Sequence, residues 1–497
     1  MCGIVGIIGN QDVGVEVYEG LICLQHRGQD SAGITTYNKQ FHTKKGLGLV
    51  RDVFSQEDMN HLLGNIGIGQ VRYPTVGGAN IEDAQPFSVH SPYGIAMAHN
   101  GNVYNFQELK KELVEKNQRH INSNCDVEAI LYVFAHEMSK YCHKDFFDSI
   151  CKAVEAVHKR VKGAYSVVAI IVGHGLVAFR DPHGIRPLVW AKRDLSFKTE
   201  HIFASENTMF KIMNFEYFRD VEPGEVVYID LNGEIRNKRV TEKEFRPCIF
   251  EYVYFARPDA ILNNVSVYRA RLRMGQNLAK KIKRLYPDLE IDIVIPAPQS
   301  ASTAALSCAH ELGVRYTEAL VKNHFIGRTF IMPDQKVRRR ANEFKLSPLI
   351  HEIKNKKILV VDDSIVRGNV SRHIVNLMRE SGANKVYFAS ASPPLRYPDL
   401  YGIDMPTSDE YISFNKTEEE IRQSIGADLL IYQDLEDLIE AVTRKGKLAF
   451  TRPHTAYFDG DYPTEDVTPE LLSKIEKQRK EERANNLESN DKSNKLL

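Results

Sequence analysis

The chain has 497 residues, and at about 150 residues per domain this length predicts two to four domains. Lys and Arg together number 65, as do Asp and Glu, so the net charge is zero and the basic excess of a nucleic-acid-binding protein is missing. Hydrophobic residues make up 43% and charged residues 26% of the chain, which is typical of a globular protein and excludes a disordered or fibrous one.

Residues 164–179 form the longest apolar stretch, and Gly173, His174 and Gly175 interrupt it. A membrane-spanning helix needs about 20 consecutive apolar residues, so we predict a strand, a turn and a second strand here and expect no membrane partner. The N-terminus lacks the basic start and apolar run of an export signal. Seven cysteines without such a signal favour free thiols and a cytoplasmic location.

The first half of the chain shows short β-rich runs separated by Gly-rich turns, which indicates an antiparallel sheet assembly. The predicted strands cover residues 66–71, 94–98, 165–172, 176–180 and 224–229. Two amphipathic helices are predicted among these strands, at residues 106–116 and 127–138, and Asp126 is placed to cap the second.

The pattern changes after about residue 246 to buried strands that each lead into a helix, which indicates βαβ units and a parallel sheet. The predicted strands cover residues 291–295, 358–361 and 385–390. The predicted helices cover residues 301–312 and 370–380. Ligands bind at the carboxyl ends of the strands in such sheets.

These patterns predict two domains and a tail. The antiparallel part is assigned to residues 2–237 and the parallel part to residues 238–465. Residues 466–497 contain few apolar side chains and are expected to form a solvated helix that frays into disorder.

Cys2 directly follows Met1, and a small side chain at this position normally permits removal of the initiator methionine. The new α-amine, with an ordinary pKa of about 7.7–8.0, would lie beside a thiol with an ordinary pKa of about 8.5. The amine can accept the thiol proton near neutral pH, so one residue would supply both nucleophile and base. Cys2 alone does not exclude an accidental cysteine at the second position.

Five motifs within the first 130 residues resemble those of the class II glutamine amidotransferases. They are CGIVGI (2–7), LQHRGQDSAG (24–33), GQVRYPT (69–75), AHNGN (98–102) and SNCDVEAI (123–130). The resemblance implies an α+β N-terminal-nucleophile fold, a sandwich of four αββα layers. It also implies that Cys2 attacks the side-chain amide of glutamine, releases ammonia and leaves a thioester that water cleaves.

The same resemblance implies the residues of a glutamine site. Asn100 and the backbone amide of Gly101 match an oxyanion hole, whose donors stabilise a tetrahedral intermediate. Arg72 and Asp126 match the groups that pair with the carboxylate and the ammonium of glutamine, and Arg27 lies in the motif that borders the nucleophile and is assigned to glutamine binding as well. From the residues alone, a surface ion pair for Arg72 and a helix cap for Asp126 remain alternatives.

Residues 358–368, ILVVDDSIVRG, place two carboxylates and a loop directly after a buried strand and before a helix. Loop amides and the N-terminus of the helix can hold a terminal phosphate, while Asp362 and Asp363 can bind sugar hydroxyls or Mg²⁺. From the residues alone, a polar turn with exposed acids is an equal alternative.

This loop resembles the signature of type I phosphoribosyltransferases, which are α/β domains with a parallel sheet, and the two halves in this order resemble the amidophosphoribosyltransferase family. Further matches are FEYVYFARPD (250–259), VIPAP (294–298), GRTFI (327–331), KLSP (345–348) and YGIDMP (401–406). The resemblance implies that phosphoribosyl pyrophosphate is bound by Asp362, Asp363, Ser364 and Gly368.

The resemblance also implies which groups offset the negative charge of pyrophosphate. Ser300 is expected to join Asp362 and Asp363 at one Mg²⁺ per subunit. Residues 322–345 resemble a mobile flap, in which Lys322 and Arg328 are expected to contact the leaving pyrophosphate. Closure of such a flap would exclude water from the reaction.

The chain departs from the family pattern at two places around the phosphates. Asn369 and Val370 stand where the signature loop usually has two threonines, and Gln299 stands where an acidic residue is common. We expect an altered substrate affinity rather than a dead site.

A third departure concerns iron. Some members of the family hold an iron–sulfur cluster through four cysteines, and the corresponding positions here carry Cys248, Asp399, His454 and Tyr457. One thiol cannot hold such a cluster, so no iron–sulfur cluster is expected.

The family resemblance implies that ammonia from glutamine displaces pyrophosphate from 5-phosphoribosyl 1-pyrophosphate and gives 5-phosphoribosylamine, the entry step of purine synthesis. It also implies an internal ammonia path, feedback inhibition by purine nucleotides and a homotetramer. Two alternatives stay open. One is a hexosamine or asparagine synthase, which would lack the acidic loop, and the other is a nucleotide-sensing protein that kept the fold and lost transfer activity.

Overall fold

The computed structural model describes residues 1–73, 80–141, 145–196, 198–323, 346–403, 407–444 and 450–494, with side chains as far as residue 481. The strands described in the first half are β1 (Gly3–Ile8), β2 (Ser31–Asn38), β3 (Gln40–Leu47), β4 (Ile66–Arg72), β5 (Phe87–Val89), β6 (Ile95–Val103), β7 (Gly163–Ile171), β8 (Gly175–Arg180), β9 (Val189–Asp194), β10 (Thr199–Ala204), β11 (Glu216–Asp220), β12 (Glu225–Asp230) and β13 (Ile235–Arg239). The helices described there are Gly14–Cys23, Val50–Val53, Gln56–His61, Phe106–Asn117, Asp126–Lys140 and Phe146–Arg160, with a 3₁₀ turn at Ile81–Asp83.

These strands form two antiparallel sheets that pack face to face. Sheet A has the order β11-β9-β10-β1-β4-β2-β3, and sheet B has the order β13-β12-β8-β7-β6-β5. Ile4 and Ile68 of sheet A share one buried cluster with Val168 and Ile170 of sheet B. Helix Gly14–Cys23 covers the other face of sheet A, and the three long helices after β6 cover the other face of sheet B. The predicted αββα layers are therefore confirmed.

The central strand β1 places the start of the chain inside this sandwich. All six residues of β1 are buried, as expected for an apolar strand with neighbours on both edges and both faces. β1 pairs with β4 so that Gly3 lies opposite Val71. Cys2, directly before β1, is thereby brought beside Arg72 at the end of β4.

The second half contains the strands β14 (Ile261–Leu262), β15 (Val265–Ser266), β16 (Ile293–Pro296), β17 (Arg315–Tyr316), β18 (Leu320–Lys322), β19 (Leu346–Pro348), β20 (Lys357–Asp362), β21 (Lys385–Ser390) and β22 (Leu429–Tyr432). Its described helices are Val267–Leu285, Ser302–Leu312, Ile350–Ile353, Asn369–Glu380, Glu418–Ile425, Leu435–Thr443, Ala456–Asp459 and Pro469–Asn494, with a π-helical turn at Glu251–Phe255 and a 3₁₀ turn at Ser408–Glu410.

Five of these strands form the predicted parallel sheet, in the order β17-β16-β20-β21-β22. Alternate residues of β20 face opposite sides, with Val360 packing on helix Asn369–Glu380 and Val361 packing on the helices Val267–Leu285 and Ser302–Leu312. β16 and β20 are parallel neighbours. The loops that follow them therefore meet at one edge of the sheet, where ligands of such folds bind.

Two local expectations differ from the structure. Asp126 is not the cap of its helix: Cys125 occupies the N-cap position without a side-chain hydrogen bond, and the Asp126 carboxylate bonds to β6 instead. The tail does form a helix, but its first turns are docked, because Ile475 is buried and Arg479 donates to the Asp399 carbonyl at 2.9 Å.

No helix within the described ranges is long and apolar enough to cross a membrane.

Gly275 offers a test of the helix packing that supports the parallel sheet. A Cβ at this position of helix Val267–Leu285 would lie 2.0 Å from the carbonyl oxygen of Ala304 in the neighbouring helix. Gly275→Ala should therefore destabilise the fold by about 1–3 kcal/mol, although alanine itself favours a helix. Thermal unfolding should show a lower melting temperature, whereas the exposed control Lys280→Ala in the same helix should leave it unchanged. An unchanged midpoint for Gly275→Ala would contradict the close packing.

Candidate active sites

Three contacts fix Cys2 at the start of β1. Its backbone nitrogen donates to Oδ1 of Asn100 at 3.3 Å, and its carbonyl oxygen accepts from Nε of Arg27 at 2.9 Å. Its sulfur lies 3.6 Å from the carbonyl oxygen of Tyr73. Met1 is also buried, with 3% of its surface exposed, so its removal would free both an amine and buried space beside the thiol.

Asn100 and Gly101 lie side by side in β6, next to Cys2. Nδ2 of Asn100 is buried and has no hydrogen-bond partner among the residues that the structure describes. The amides of His99 and Val103 bond to side chains outside the ladder with β7, and hydrogen bonding alternates along an antiparallel strand. The Gly101 amide, midway between these two, therefore points to the same edge. The strand thus presents two N–H groups near the thiol.

Asp126 lies against the same strand. Its Oδ2 accepts from the Val103 amide at 2.9 Å, and its Oδ1 lies 3.2 Å from Nε2 of His99. Gln85 donates to Nδ1 of His99 at 2.9 Å, so the histidine proton is on Nε2 and faces the carboxylate. Burial opposes ionisation of Asp126, but the nearby His99, the hydrogen bond from the Val103 amide and the charge of Arg72 outweigh it and lower the pKa of the carboxyl below its ordinary value. The site therefore holds a buried anion that suits an ammonium group.

Arg72 is buried rather than part of a surface ion pair. Only 4% of its surface is exposed, and one guanidinium nitrogen lies 3.9 Å from Oδ2 of Asp83. The other oxygen of Asp83 accepts from the Asn124 amide at 2.9 Å, just before helix Asp126–Lys140. Asp83 thus links the cation to the segment that carries the anion. It belongs to none of the motifs, so sequence analysis missed it.

Arg27 is bound on all sides by protein oxygen atoms. Besides the Cys2 carbonyl, its guanidinium donates to Glu206 at 2.6 Å and to both oxygens of Glu251 at 2.9 and 2.8 Å. Burial alone would lower the pKa of Arg27, but the two carboxylates raise it. The predicted contact of Arg27 with glutamine stays a prediction. In this structure the residue anchors the nucleophile and ties the first half to Glu251.

Glu206 completes this buried cluster and was also missed by sequence analysis. Burial would raise its pKa, but Nε2 of His26 at 2.8 Å and the guanidinium of Arg27 outweigh burial and lower the pKa to about 2. The two histidines of the motifs, His26 and His99, therefore orient carboxylates. No residue pattern around position 206 could have indicated this partner.

The acidic loop brings its predicted residues together at the end of β20. The hydroxyl of Ser300 donates to Oδ2 of Asp363, and the hydroxyl of Ser364 donates to Oδ1 of the same carboxylate at 2.7 Å. The Asp363 amide donates to Oδ1 of Asp362 at 2.8 Å. Ser300 comes from the loop after β16, so the contact between the two loops follows from the parallel pairing of their strands.

The two carboxylates are buried next to each other, which raises their pKa values. Burial and the charge of Asp363 raise the pKa of Asp362 well above its ordinary value, and burial raises that of Asp363. A divalent cation would relieve this repulsion, and carboxylate and hydroxyl oxygens suit Mg²⁺. Within the described ranges no group of three or more His, Cys, Asp or Glu side chains could hold a metal ion. Mg²⁺ usually completes its coordination with water and substrate phosphates.

The remaining predicted phosphate residues are divided between two cavities. Gly368 has φ +73° before helix Asn369–Glu380, and a Cβ there would lie 2.1 Å from Ile412, so glycine is required. Lys322 is exposed at the end of β18 and lines a neighbouring cavity of about 360 Å³ with Gln299. Arg328 lies outside the described residues.

A cavity of about 550 Å³ joins the surroundings of the nucleophile to the acidic loop. Its wall is formed on one side by residues near Cys2 and on the other by the two loops of the parallel sheet, and includes Met1, Arg27, Tyr73, Ser300, Asp362 and Gly368. The cavity therefore extends, within one chain, from residues that adjoin Cys2 to the acidic loop.

The four positions that correspond to the iron–sulfur ligands of some family members lie close together in the structure. The sulfur of Cys248 lies 3.6 Å from the hydroxyl oxygen of Tyr457, and Nε2 of His454 lies 3.1 Å from Oδ1 of Asp399. Cys248 and His454 also form a short parallel bridge. Side-chain hydrogen bonds thus connect these distant segments.

The ion pairs of Glu206 beside the nucleophile can be tested through the pH dependence of stability. The pKa of Glu206 is about 2, below its ordinary value of 4.5, so its bonds stabilise the fold above about pH 4.5 and lose this effect as pH falls toward 2. Glu206→Gln should be less stable than the parent by about 3 kcal/mol at pH 7, and the difference should shrink across that acid range.

The measurement is thermal unfolding at several pH values. The control is Glu465→Gln, whose exposed pair with Lys243 should contribute little at any pH. A stability difference for Glu206→Gln that stays constant down to pH 2 would contradict the assigned ion pairs.

The fold and the two sites define a glutamine amidotransferase joined to a phosphoribosyltransferase. A family model described as "Glutamine amidotransferase domain" matches residues 78–211. Curated relatives named amidophosphoribosyltransferase come from Pseudomonas aeruginosa, with 48% identity over 96% of this chain and 96% of the relative, and from Escherichia coli K12, with 48% identity over 97% and 96%.

The solved structures agree with these relatives. The structure of glutamine phosphoribosylpyrophosphate amidotransferase from Bacillus subtilis, complexed with ADP and GMP, has a TM-score of 0.82 and 35% identity to this chain. The match covers 94% of this chain and 98% of that one. The chain belongs to the amidophosphoribosyltransferase family.

Proposed function

We propose that the chain catalyses the reaction of its family with the residues described above. Ammonia released from glutamine displaces pyrophosphate from 5-phosphoribosyl 1-pyrophosphate and gives 5-phosphoribosylamine, the first step of purine biosynthesis. One observation carries the proposal. The cavity of about 550 Å³ has Arg27, which holds the Cys2 carbonyl, in one wall and the acidic loop in the other.

The glutamine reaction begins when the free Cys2 amine accepts the thiol proton. The thiolate attacks the side-chain carbonyl of glutamine, and Nδ2 of Asn100 and the Gly101 amide donate to the oxyanion. The amine returns the proton to the departing nitrogen, so ammonia leaves and a thioester remains. Water then attacks the thioester and releases glutamate. Removal of Met1 is a condition of this scheme.

Two buried charges select glutamine. Arg72 pairs with the substrate carboxylate and Asp126 with its ammonium group. His99 favours the ionised form of Asp126, and Asp83 places a carboxylate oxygen 3.9 Å from the guanidinium of Arg72. These supports come from the protein itself, so the site is charged before the substrate arrives.

The transfer reaction takes place at the acidic loop. Asp362 and Asp363 bind the ribose hydroxyls, and together with Ser300 they would hold one Mg²⁺ per subunit. Bound Mg²⁺ offsets the negative charge that develops on pyrophosphate. The 5′-phosphate is bound by Ser364, the loop at Gly368 and the amides that begin the next helix.

The leaving pyrophosphate is proposed to be contacted by two cationic side chains. Lys322 and Arg328 are the proposed cations there. Closure of residues 322–345 over the site would exclude water and favour attack by ammonia on the anomeric carbon. Ammonia in bulk water near pH 7 would be largely protonated, so passage through the internal cavity keeps it nucleophilic.

Cys2→Ala tests the division of labour, since alanine still permits removal of Met1. Glutamine-dependent pyrophosphate release should fall to background, because the nucleophile is gone, while release with ammonium chloride should persist. The control Cys151→Ala, a buried thiol outside the site whose pKa burial raises to about 11, should change neither rate. Intact mass reports Met1, and equal loss of both rates in Cys2→Ala would refute the scheme.

Asp362→Asn tests the acidic loop. Ammonium-dependent pyrophosphate release should fall to background while glutamine hydrolysis persists. The metal-free variant should melt about 2–4 °C higher at pH 7, because a buried carboxyl that burial and Asp363 make costly to ionise is replaced by a neutral amide, a gain of roughly 1 kcal/mol. Because the pKa of Asp362 is raised in the folded protein, the gain in stability is expected at neutral pH. It should vanish below about pH 4, where Asp362 is protonated in both the folded and the unfolded protein.

The control for this variant is Asp434→Asn, an acid near the same sheet edge that pairs with Lys281 at 2.7 Å. It should change neither rate nor the melting temperature. A lower melting temperature for metal-free Asp362→Asn would contradict the repulsion between the two carboxylates.

A nucleotide-sensing protein without transfer activity is the second candidate, and Gln299, Asn369 and Val370 favour it. Pyrophosphate release with ammonium as nitrogen donor separates the two functions. Release above background supports the enzyme, and no release supports the sensor. A hexosamine or asparagine synthase is not proposed, since the chain belongs to another family over 96% of its length.

The remaining partners are proposals as well. Purine nucleotides are proposed as feedback inhibitors, a proposal supported by the B. subtilis enzyme, whose structure was solved with ADP and GMP. A homotetramer is proposed from the family resemblance. A cytoplasmic location is proposed because the six described cysteines are free thiols. We propose no iron–sulfur cluster, and stoichiometric iron and sulfide in purified protein would overturn this.

The domain boundaries 2–237, 238–465 and 466–497 are retained as a proposal. Glu251 of the second unit bonds to Arg27 of the first, so the two units share a buried ion cluster.

A further inference from the structure

We propose that Asp399 and His454, two buried residues of the second half, are positioning residues for the glutamine site. They hold residues 400–403 against β6 and thereby confine the Gly101–Asn102 peptide, which directly follows the Gly101 amide in the chain. The inference rests on the proposed function, because it takes the Gly101 amide as an oxyanion donor.

Asp399 and His454 form a defined pair. Both side chains are 0% exposed, and Nε2 of His454 lies 3.1 Å from Oδ1 of Asp399. The Ala456 amide donates to Nδ1 of His454 at 3.4 Å, so the imidazole proton is on Nε2 and donates to the carboxylate. Each polar atom of this pair therefore has its partner.

The other oxygen of Asp399 holds the following loop. Oδ2 accepts from the amides of Tyr401 and Ile403 at 2.9 and 2.8 Å. Hydrogen bonds to a carboxylate are about twice as strong as neutral ones. The ionised Asp399 carboxylate thus fixes the backbone of residues 400–403, and the hydrogen bond from His454 fixes the orientation of that carboxylate.

This loop touches the strand of the oxyanion donors directly. Nδ2 of Asn102 donates to the Leu400 carbonyl at 2.8 Å. Gly402 has φ +111°, and a Cβ there would lie 3.0 Å from the carbonyl carbon of Gly101. On the opposite side, a Cβ on Gly101 would lie 1.9 Å from the carbonyl oxygen of Ala164 in β7. The Gly101–Asn102 peptide therefore lies against the loop of the second half, while Gly101 itself packs closely on β7, so the Gly101 amide has little room to move.

Confinement matters for rate more than for substrate binding. An oxyanion donor acts only when it is aimed at the developing charge, and removal of one donor costs about 100-fold or more. A misplacement of about 1 Å can cost as much. Glutamine itself is proposed to bind through Arg72 at the end of β4 and Asp126 at the start of helix Asp126–Lys140, which are separate elements from the loop. Loosening the loop should thus lower kcat for glutamine and spare KM.

Asp399→Asn tests the proposal with an isosteric change. In either orientation the amide NH₂ of asparagine faces a donor, either Nε2–H of His454 or the two backbone amides. We expect kcat for glutamine hydrolysis to fall by about 10-fold, a fraction of the loss on removing a donor. KM for glutamine and ammonium-dependent pyrophosphate release should each stay within about twofold, a margin well inside 1 kcal/mol.

A second variant reaches the same contact from the other side. Asn102→Ala removes the bond to Leu400 and should show the same fall in kcat, so it decides the question if Asp399→Asn does not fold. The matched control is Asp428→Asn, which also loses a carboxylate bonded to a backbone amide, that of Val386 at 2.8 Å, but whose ion pairs are with Arg379 and Lys385 of the second half. It should leave glutamine kcat unchanged.

The outcomes are distinct. Unchanged kcat in Asn102→Ala and in folded Asp399→Asn, with only a lower melting temperature, overturns the positioning role. An equal loss of ammonium-dependent turnover also overturns it. Failure of the proposed function is separate, because it would appear as glutamine hydrolysis that survives Cys2→Ala, or as parent protein that releases no pyrophosphate with ammonium.

Discussion

The buried ion cluster around Arg27 is the constraint on which the glutaminase site depends. Arg27 donates to the Cys2 carbonyl, to Glu206 and to Glu251, and Arg186 lies 3.6 Å from Glu251. The two cations therefore neutralise the two carboxylates in the protein interior, where an unpaired buried ion would cost several kcal/mol. Because the cluster spans residues 27–251, it also fixes the nucleophile to the second half.

The acidic loop follows the opposite principle. Asp362 and Asp363 have no cation within hydrogen-bond distance among the described contacts, and burial together with their mutual proximity raises their pKa values, so ionisation of both carboxyls is unfavourable there. Such a site is less stable than it could be, but it binds an added cation and sugar hydroxyls in return. The two sites thus differ in the source of their compensating charges. At Arg27 the protein itself supplies them, whereas at Asp362 they would come from the bound cation and substrate.

The residue pattern predicted an antiparallel assembly with helices in the first half and a parallel sheet in the second, because buried strands and amphipathic helices have distinct periods. The four αββα layers and the roles of the motif residues were implied by the family resemblance. The residue pattern could not predict strands of two or three residues such as β14, β15 and β17, which are too short to show a period. It misassigned Asp126 because a carboxylate at the start of a helix can bond either to its own helix or to another strand, and only the packing on β6 decides. Asp83 and Glu206 lie in no motif, so tertiary structure alone reveals that they orient Arg72 and Arg27.

The loop at residues 400–403 shows how support for one site can reside in another part of the chain. Four distant positions, 248, 399, 454 and 457, meet beside it and are connected by side-chain hydrogen bonds. Net, a neutral hydrogen bond contributes only about 0.5–1.5 kcal/mol and one to a charged group about 1.5–3 kcal/mol, so such contacts hold a loop firmly only when water is excluded. Asp399 and His454 are fully buried, which meets this condition. The rigidity of the Gly101–Asn102 peptide, next to the proposed oxyanion amide, then depends on the packing of the second half, so a change there can reach the glutamine site without touching any residue proposed to contact glutamine.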